Sequence, residues 1–354
     1  MSTVKFSTQN MVFFSELRKR VDSYFKQNNI KSTGNFKLYA KTVILLAAFF
    51  ASYIILVFFT PSILISIAIC SFLGLCMALI GFNIMHDGAH GSYSKYKWLN
   101  ETMAYSLNMM GGATYLWKLK HNVNHHTFTN VEGLDDDIDI RPFMRIHLEQ
   151  KKYWFHRFQH IYGLLLYGVT YLFWIFYQDF KKYFSSKIAI DTKLQKMSLK
   201  EHVIFWVTKL FYIAAFLVLP IYFVGFVQTL VGYGIAVFVT GLTIAVVFQL
   251  AHVIEDVSFV KSGERVVDTE WAIHQINTTA NFATKSKIVT WMLGGLNFQV
   301  EHHLFPKISH VHYPKINQIL KDTCKEFNVA YKEFPTVVSA VKSHLLYLKR
   351  VGVA

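Results

Sequence analysis

Residues 63–90 read ILISIAICSFLGLCMALIGFNIMHDGAH. From Ile63 to Met85 no side chain is charged, and the run exceeds the roughly 20 residues that a helix needs to cross a bilayer. It ends directly in His86-Asp87-Gly88-Ala89-His90, whose two imidazoles at i and i+4 share one face if the helix continues. Upstream, Val43 to Phe59 is equally free of charge, and Thr60, Pro61 and Ser62 make a short turn, so the pair reads as a helical hairpin. A second uncharged stretch, Leu210 to Ile254, is long enough for two spans with a turn near Gly225 to Gln228, and reads as a second hairpin.

The whole composition agrees. Of 354 residues, 53% are hydrophobic and 16% aromatic, while only 16% are charged, well below the quarter expected of a soluble domain. That excludes an ordinary soluble enzyme and a disordered chain. The three cysteines, Cys70, Cys76 and Cys324, support neither a disulfide framework nor a thiolate metal site. A net charge of +14 without a nucleic-acid-binding motif reads as basic cytoplasmic loops over anionic lipid, with no nucleic-acid partner.

The first 42 residues combine Phe13, Phe14, Leu17, Val21 and Phe25 with Arg18, Lys19, Arg20 and Lys26, as in an amphipathic helix at the membrane surface. They lack the pattern of a secretory signal, so the N-terminus reads as cytoplasmic and retained. A further apolar run, Ile161 to Tyr177, is flanked by Arg141, Arg145, Lys151, Lys152 and Arg157 on one side and by Lys181, Lys182, Lys187, Lys193 and Lys196 on the other. Both flanks look cytoplasmic by the positive-inside rule. This run is therefore expected to lie in the interface or to dip in and return. The expected fold is an all-α integral membrane protein: four transmembrane helices in two hairpins, interfacial helices, and a cytoplasmic, histidine-rich metal-binding cap. No linker or repeat divides it, so residues 1–42 form an N-terminal segment and 43–354 one membrane domain.

Half of the 16 histidines are clustered. His121-Asn122-Val123-Asn124-His125-His126 offers an i, i+4 pair and a neighbour about 100° away on a helix. Three imidazoles in six residues repel if protonated, unless something binds them. Gln299-Val300-Glu301-His302-His303 carries another adjacent pair. Four spans put these clusters and His252, at the inner end of the fourth span, on one side. Eight imidazoles, His86, His90, His121, His125, His126, His252, His302 and His303, exceed the four to six ligands of one first-row ion, so two ions held by neutral imidazole are expected. Iron suits such a set better than manganese or zinc.

The three clusters match, in order and spacing, the boxes His-x(3-4)-His, His-x(2-3)-His-His and His/Gln-x-x-His-His, and from about residue 40 to 310 the chain resembles the membrane-bound fatty acid desaturases. The resemblance implies a cytoplasm-facing di-iron centre, O2 as co-substrate, an acyl-CoA or acyl-lipid substrate, and an extra histidine ligand that His252 fits. Gln299, where most of the family has His, resembles the front-end subgroup, which includes delta-5 and delta-6 acyl enzymes and sphingolipid long-chain-base enzymes. Its amide is a weak ligand or a hydrogen-bonding neighbour of the metals. The sequence has no His-Pro-Gly-Gly haem motif, so it is closer to bacterial and cyanobacterial members, set in an inner membrane and served by a separate ferredoxin or cytochrome b5 type donor.

Around the boxes, Asp87, Asp135, Asp137 and His274 are candidate partners of the ligands, Trp117 reads as an interfacial belt residue, and Glu255 and Asp256 are candidates to orient His252. The histidines outside the boxes, including His147, His156, His310, His312 and His344, are expected in loops or on the surface. Removing two hydrogens from unactivated methylenes is beyond side-chain acids and bases, and calls for O2 chemistry at a metal. Membrane hydroxylases and ketolases with similar boxes are the nearest rivals. A metal transporter fits less well, because the histidines fall at span ends rather than at a midplane.

Overall fold

The structure, a computed structural model, describes residues 4–7, 12–189, 192–261 and 266–354, so residues 1–3 and 8–11 of the N-terminal segment lie outside the description. Helix dominates, and the strands are two- or three-residue pairs. After a first helix, α1 (Val12–Gln27), five helices among the described residues are long and apolar enough to cross a membrane: α2 (Phe36–Phe59), α3 (Ile63–His90), α4 (Trp154–Ser185), α5 (Leu199–Val224) and α6 (Phe226–His252). Their outer faces leave Phe50, Phe58, Ile65, Phe72, Leu210 and Val231 exposed. Only a hydrocarbon surround satisfies so continuous an apolar surface, and the chain is a membrane protein.

Local signals set the helix ends. The Asn35 side chain accepts a hydrogen bond from Lys37 N at 3.0 Å and starts α2, seven residues before the charge-free run at Val43. The helix takes in Lys41 because its ammonium finds protein acceptors, donating to Asn83 Oδ1 at 2.7 Å and to Trp291 O at 3.0 Å. Thr60, in the left-handed region at φ 40°, and Pro61 separate α2 from α3. At φ 104° Gly225 makes the break between α5 and α6, as the turn signal placed it. Helix α5 begins earlier than the charge-free stretch, at Leu199 behind an Ser198 cap, because Lys209 is buried against Asp179 at 2.8 Å.

Helix α6 packs between α3 and α4. Small residues allow the approach: a Cβ on Gly74 would stand 2.2 Å from Ala236 O, and one on Gly241 would stand 2.6 Å from Gly168 O. Met77, Ile80, Ile84, Val237 and Leu250 form the buried core of this bundle.

Four more helices close its histidine-bearing end: α7 (Trp271–Asn277), α8 (Gln299–Leu304), α9 (Tyr313–Glu326) and α10 (Val337–Val353). Helix α1 belongs with them. Its apolar face, Phe13, Leu17 and Val21, is buried in one cluster with Ile276, Leu304, Ile316 and Leu320. The amphipathic stripe thus faces protein rather than lipid, a distinction that periodicity alone cannot make.

The glycine contacts yield a prediction. Gly241→Val should lower the melting temperature of the detergent-solubilised protein by several degrees, because overpacking of this kind costs about 1–3 kcal/mol. Gly234→Ala, where an added Cβ meets nothing within 4 Å, should leave it unchanged or slightly raised. Equal melting of Gly241→Val and the parent chain would show that the helices do not depend on this approach.

Candidate metal centre

Helix α3 ends in a π-wound turn, Gly81–Met85, followed by an α-helical turn, His86–His90, and Gly91 at φ 73° stops it. His86 and His90 thereby share one face, with ring centroids 4.7 Å apart. The second cluster lies on a π-wound turn, Leu119–His125, that continues a short helix from Thr114, and α8 carries the third. Wide π-turns spread side chains differently from an α-helix and recur at functional sites.

The fold brings all eight histidines together, each at most 9% exposed. One ligand atom from each of His86, His90, His121 and His302 falls within 4.8 Å of the others, and the same holds for His125, His252 and His303. His126 sits between the two groups, its ring 4.5 Å from His302 and 4.5 Å from His303. A third grouping, His121, His125 and Asp137, meets the same distance condition. There, however, the nitrogens face carboxylates at hydrogen-bond distance, so it is the outer layer of the site rather than a further ion position.

The hydrogen bonds divide the imidazole nitrogens into two classes. The Nδ1 atoms point outward: His121 to Asp137 Oδ2 at 2.7 Å, His125 to Asp135 Oδ2 at 2.9 Å, His303 to Gln275 Oε1 at 2.8 Å, His302 to the Tyr313 hydroxyl at 3.2 Å, and His252 to Thr278 O at 3.4 Å. The Nε2 atoms point inward. Those of His90, His125, His252, His302 and His303 are buried without any partner, and the Nε2 atoms of His86 and His126 each lie 3.3 Å from His121 Nε2. Such orphaned nitrogens are costly unless something binds them. A metal ion would do so, and the partners behind His121, His125, His252, His302 and His303 fix the tautomer it requires, whereas His126 Nδ1 is itself buried without a partner. The donor set fits two first-row ions.

Electrostatics reinforce the arrangement. Burial, and then mutual repulsion, holds His126, His302 and His303 well below the usual imidazole range, so these rings are neutral, the form that a metal ion takes. Burial also lowers His121, partly countered by Asp137. For His125 burial is outweighed by the charge and hydrogen bond of Asp135, and the ring is raised. Asp137 resists burial and is held well below the carboxylate range by Lys120 and His121.

Other expected residues fall differently. Asp87 touches no box histidine through its carboxylate; it accepts from Ser309 Oγ at 2.6 Å and lies 3.0 Å from His310 Nδ1. Asp136 and Asp139, close in sequence to the two aspartates that reach histidines, pair with Lys182 and Arg141 instead. His274, lowered by burial to about 4, faces Thr129 O at 2.9 Å, and its neighbour Gln275 is the residue that reaches a box histidine. Thr278, not Glu255 or Asp256, orients His252. Trp117 is buried and stacks on His121 at 4.4 Å rather than sitting in an interfacial belt. His147, His156, His310, His312 and His344 are buried, not on the surface. His344 is held by residues distant in sequence, its Nε2 2.9 Å from the Tyr167 hydroxyl.

Two features had no sequence signal. Glu301, between Val300 and His302, is fully buried, accepts from Asn281 at 2.6 Å and Asn317 at 2.7 Å, and is pushed up by burial to about 7. The second is a cavity of about 690 Å³ running from His86, His121, Gln249 and Gln299 along an apolar wall of Met85, Leu107, Met110 and Met77. Gln299 stands in this wall, and the side-chain amide oxygen of Gln249 is buried there without a partner.

Residues 61–335 match the family model for fatty acid desaturases. The chain is 39% identical to an acyl-lipid (8-3)-desaturase of Physcomitrium patens, over 97% of this chain and 72% of that protein. It is 37% identical to an sn-1 linoleoyl-lipid 6-desaturase of Arthrospira platensis, covering 96% of this chain and 93% of that one. A Synechocystis protein of the same name is 34% identical, with 99% and 98% covered.

The outward hydrogen bonds are testable by metal analysis. Asp137→Asn and Gln275→Leu should each weaken metal retention about 10–100-fold, read as iron per purified chain after graded chelation. Asp139→Asn, which touches no histidine, should match the parent chain. Unchanged retention in the first two variants would remove those side chains from the site.

Proposed function

The chain belongs to the fatty acid desaturase family, and we propose that it is a front-end member, placing a cis double bond between an existing one and the carboxyl end of an acyl-lipid, with O2 as co-substrate. As a desaturase it is an oxidoreductase. One observation carries the mechanistic reading: two groups of imidazoles turn their Nε2 atoms inward, and His86 and His121 of the first group line an apolar cavity. The eight box and span-end histidines would hold two irons, and bound iron would supply O2 chemistry strong enough to take hydrogen from unactivated methylenes. The chain's own residues do the rest. Asp135, Asp137, Gln275 and Thr278 fix the rings. Met85, Leu107 and Met110 exclude water and hold a methylene pair beside His86 and His121.

Front-end selectivity is supported by Gln299, which stands in the cavity wall, and by relatives named as 6- and (8-3)-desaturases. An acyl-lipid is favoured over acyl-CoA by the cavity's charged margin, where Lys120 pairs with Asp137 at 2.5 Å and Arg141 with Glu132 at 2.5 Å and with Asp139, so that these cations are already neutralised. Electrons would come from a separate ferredoxin or cytochrome b5 type protein.

Parity supports four spans. His86 ends α3, His252 ends α6, and their side chains belong to one site, so an even number of crossings separates them. Helices α5 and α6 make two, which leaves α4 in the interface. Both ends of α4 accordingly meet the same histidine-bearing segment: His156 faces Pro142 O at 2.9 Å, and Lys182 pairs with Asp136. The lysine-rich flanks put this side in the cytoplasm, and a bacterial inner membrane is the reading for the host membrane. Helix α1 and the rest of the N-terminal segment would then be a cytoplasmic part of one desaturase unit.

Expression in cells fed linoleate, followed by mass spectrometry of total fatty acids with double bonds located, should give a new double bond on the carboxyl side of those present. His302→Ala or His303→Ala should abolish it while the protein accumulates. An oxygenated product would assign the chain to the oxygen-inserting rivals instead, and a new bond on the methyl side would overturn the front-end reading.

A further inference from the structure

A second cavity, of about 600 Å³, lies between α2, α3, α5 and α6 at the end of the bundle remote from His86 and His252. Cys70, Leu73, Phe216, Ala236 and Val237 form its inner wall, and among the described residues that line it none is a histidine and none is charged. Size and lining are those of a ligand pocket, mostly apolar and aromatic with a few polar atoms.

Ile63, Ile67, Val227 and Val231 line this cavity and are also exposed on the outside of the bundle. Side chains that belong to both surfaces stand at a mouth. This one lies between the starts of α3 and α6, on the apolar flank that faces lipid, so an occupant enters from the bilayer. Hydrocarbon that moves from lipid into protein gains no hydrophobic free energy, and packing and hydrogen bonds decide which molecule stays. The Tyr53 hydroxyl donates to Ala215 O, the Tyr212 and Tyr233 hydroxyls bond each other at 3.0 Å, and Ser66 Oγ donates to Pro61 O at 3.0 Å, so these groups are satisfied. Thr229 differs. It lines the cavity from the first turn of α6, is 6% exposed, and its Oγ1 is buried without a partner. A hydroxyl in that position is costly until an oxygen of the occupant meets it.

Charge selects the head. Val43 to Met85 and Leu210 to Ile254 carry no lysine, arginine, aspartate or glutamate, so the residues that surround the mouth offer an anionic phosphate no counter-charge. Recognition of an anionic lipid head calls for clustered lysine or arginine. We propose that the remote cavity is a binding site for one neutral glycerolipid of the diacylglycerol class, whose acyl chain fills the apolar space and whose uncharged head presents an oxygen to Thr229. Without an imidazole in its wall the site is distinct from the metal centre, and its lipid is a bound partner rather than the molecule transformed. It bridges the pair α2 and α3 to the pair α5 and α6 at the end where the histidines do not join them.

The test offers the purified full chain in detergent equal amounts of isotope-labelled dioleoylglycerol and dioleoylphosphatidylglycerol, and native mass spectrometry counts what is retained. One diacylglycerol per chain should be kept, in preference to the anionic lipid by about tenfold. Thr229→Val preserves shape and removes the oxygen, and should weaken retention about tenfold. Ile67→Trp, which sets an indole in the mouth, should abolish it. Iron per chain, parental in both variants, reports an intact fold, and either variant that meets this condition decides the matter. Equal retention of the two lipids, no retained lipid on the parent chain, or parental retention in Thr229→Val would overturn the assignment. Parental retention in Ile67→Trp would put the lipid elsewhere on the bundle and remove the site. Each of these results leaves the desaturase reading intact, because that reading is decided by the fatty acid products.

Discussion

Eight imidazoles held in mutual contact inside a protein are a constraint before they are a catalyst. Each ring has two nitrogens that want partners, water is excluded, and protonation would set neighbours repelling one another. The fold resolves one nitrogen of most rings with a carboxylate, an amide, a hydroxyl or a carbonyl, and leaves the other facing inward. An unsatisfied buried polar atom costs roughly 1–3 kcal/mol, and five such Nε2 atoms point at one another here. Metal binding and stability are therefore coupled: an ion that binds the native site and not the unfolded chain stabilises the fold by mass action.

The membrane bundle exists, in this light, to present two helix ends side by side. His86 lies in the last turn of α3 and His252 ends α6, and those helices can be adjacent because Gly74 lets their backbones approach where any side chain would collide. Neither helix carries the outer acceptors. These come from the segment after the second cluster, which contributes Asp135 and Asp137, and from the cap helices, which contribute Gln275 and Tyr313. The cap is itself secured from below by Glu301, whose two oxygens tie α8 to Asn281 and Asn317.

The readable parts of this design were those governed by local rules. Charge-free runs located the long apolar helices, Thr60-Pro61 and Gly225 located the breaks, and histidine spacing named the imidazoles that the fold brings together. The errors came where tertiary partners override local cost. Lys41 and Lys209 sit inside helices that charge counting ended too soon, because Asn83 and Asp179 receive their ammonium groups. The amphipathic stripe of α1 was read as lipid-facing, although Ile316 and Leu320 cover it. Between His274 and Gln275 the titratable residue drew attention, yet only position on α7 decides which of them meets His303. The buried histidines outside the boxes were invisible for the same reason, since burial of His344 depends on Tyr167 and Val253, far away in the chain.

Helix α3 concentrates several of these roles on one rod. Its last turn carries His86 and His90, its middle lines the apolar cavity through Met85, Phe82, Gly81 and Met77, and its first half borders the remote cavity through Leu73 and Cys70. A helix is stiff along its axis, with a fixed rise per residue. Distances between a reacting position at one end and a wall side chain further along are thus set by covalent geometry rather than by loops that breathe. The outer hydrogen bonds that orient the histidines and the apolar side chains that line the cavity several turns away are therefore separate parts of the structure joined by one helix.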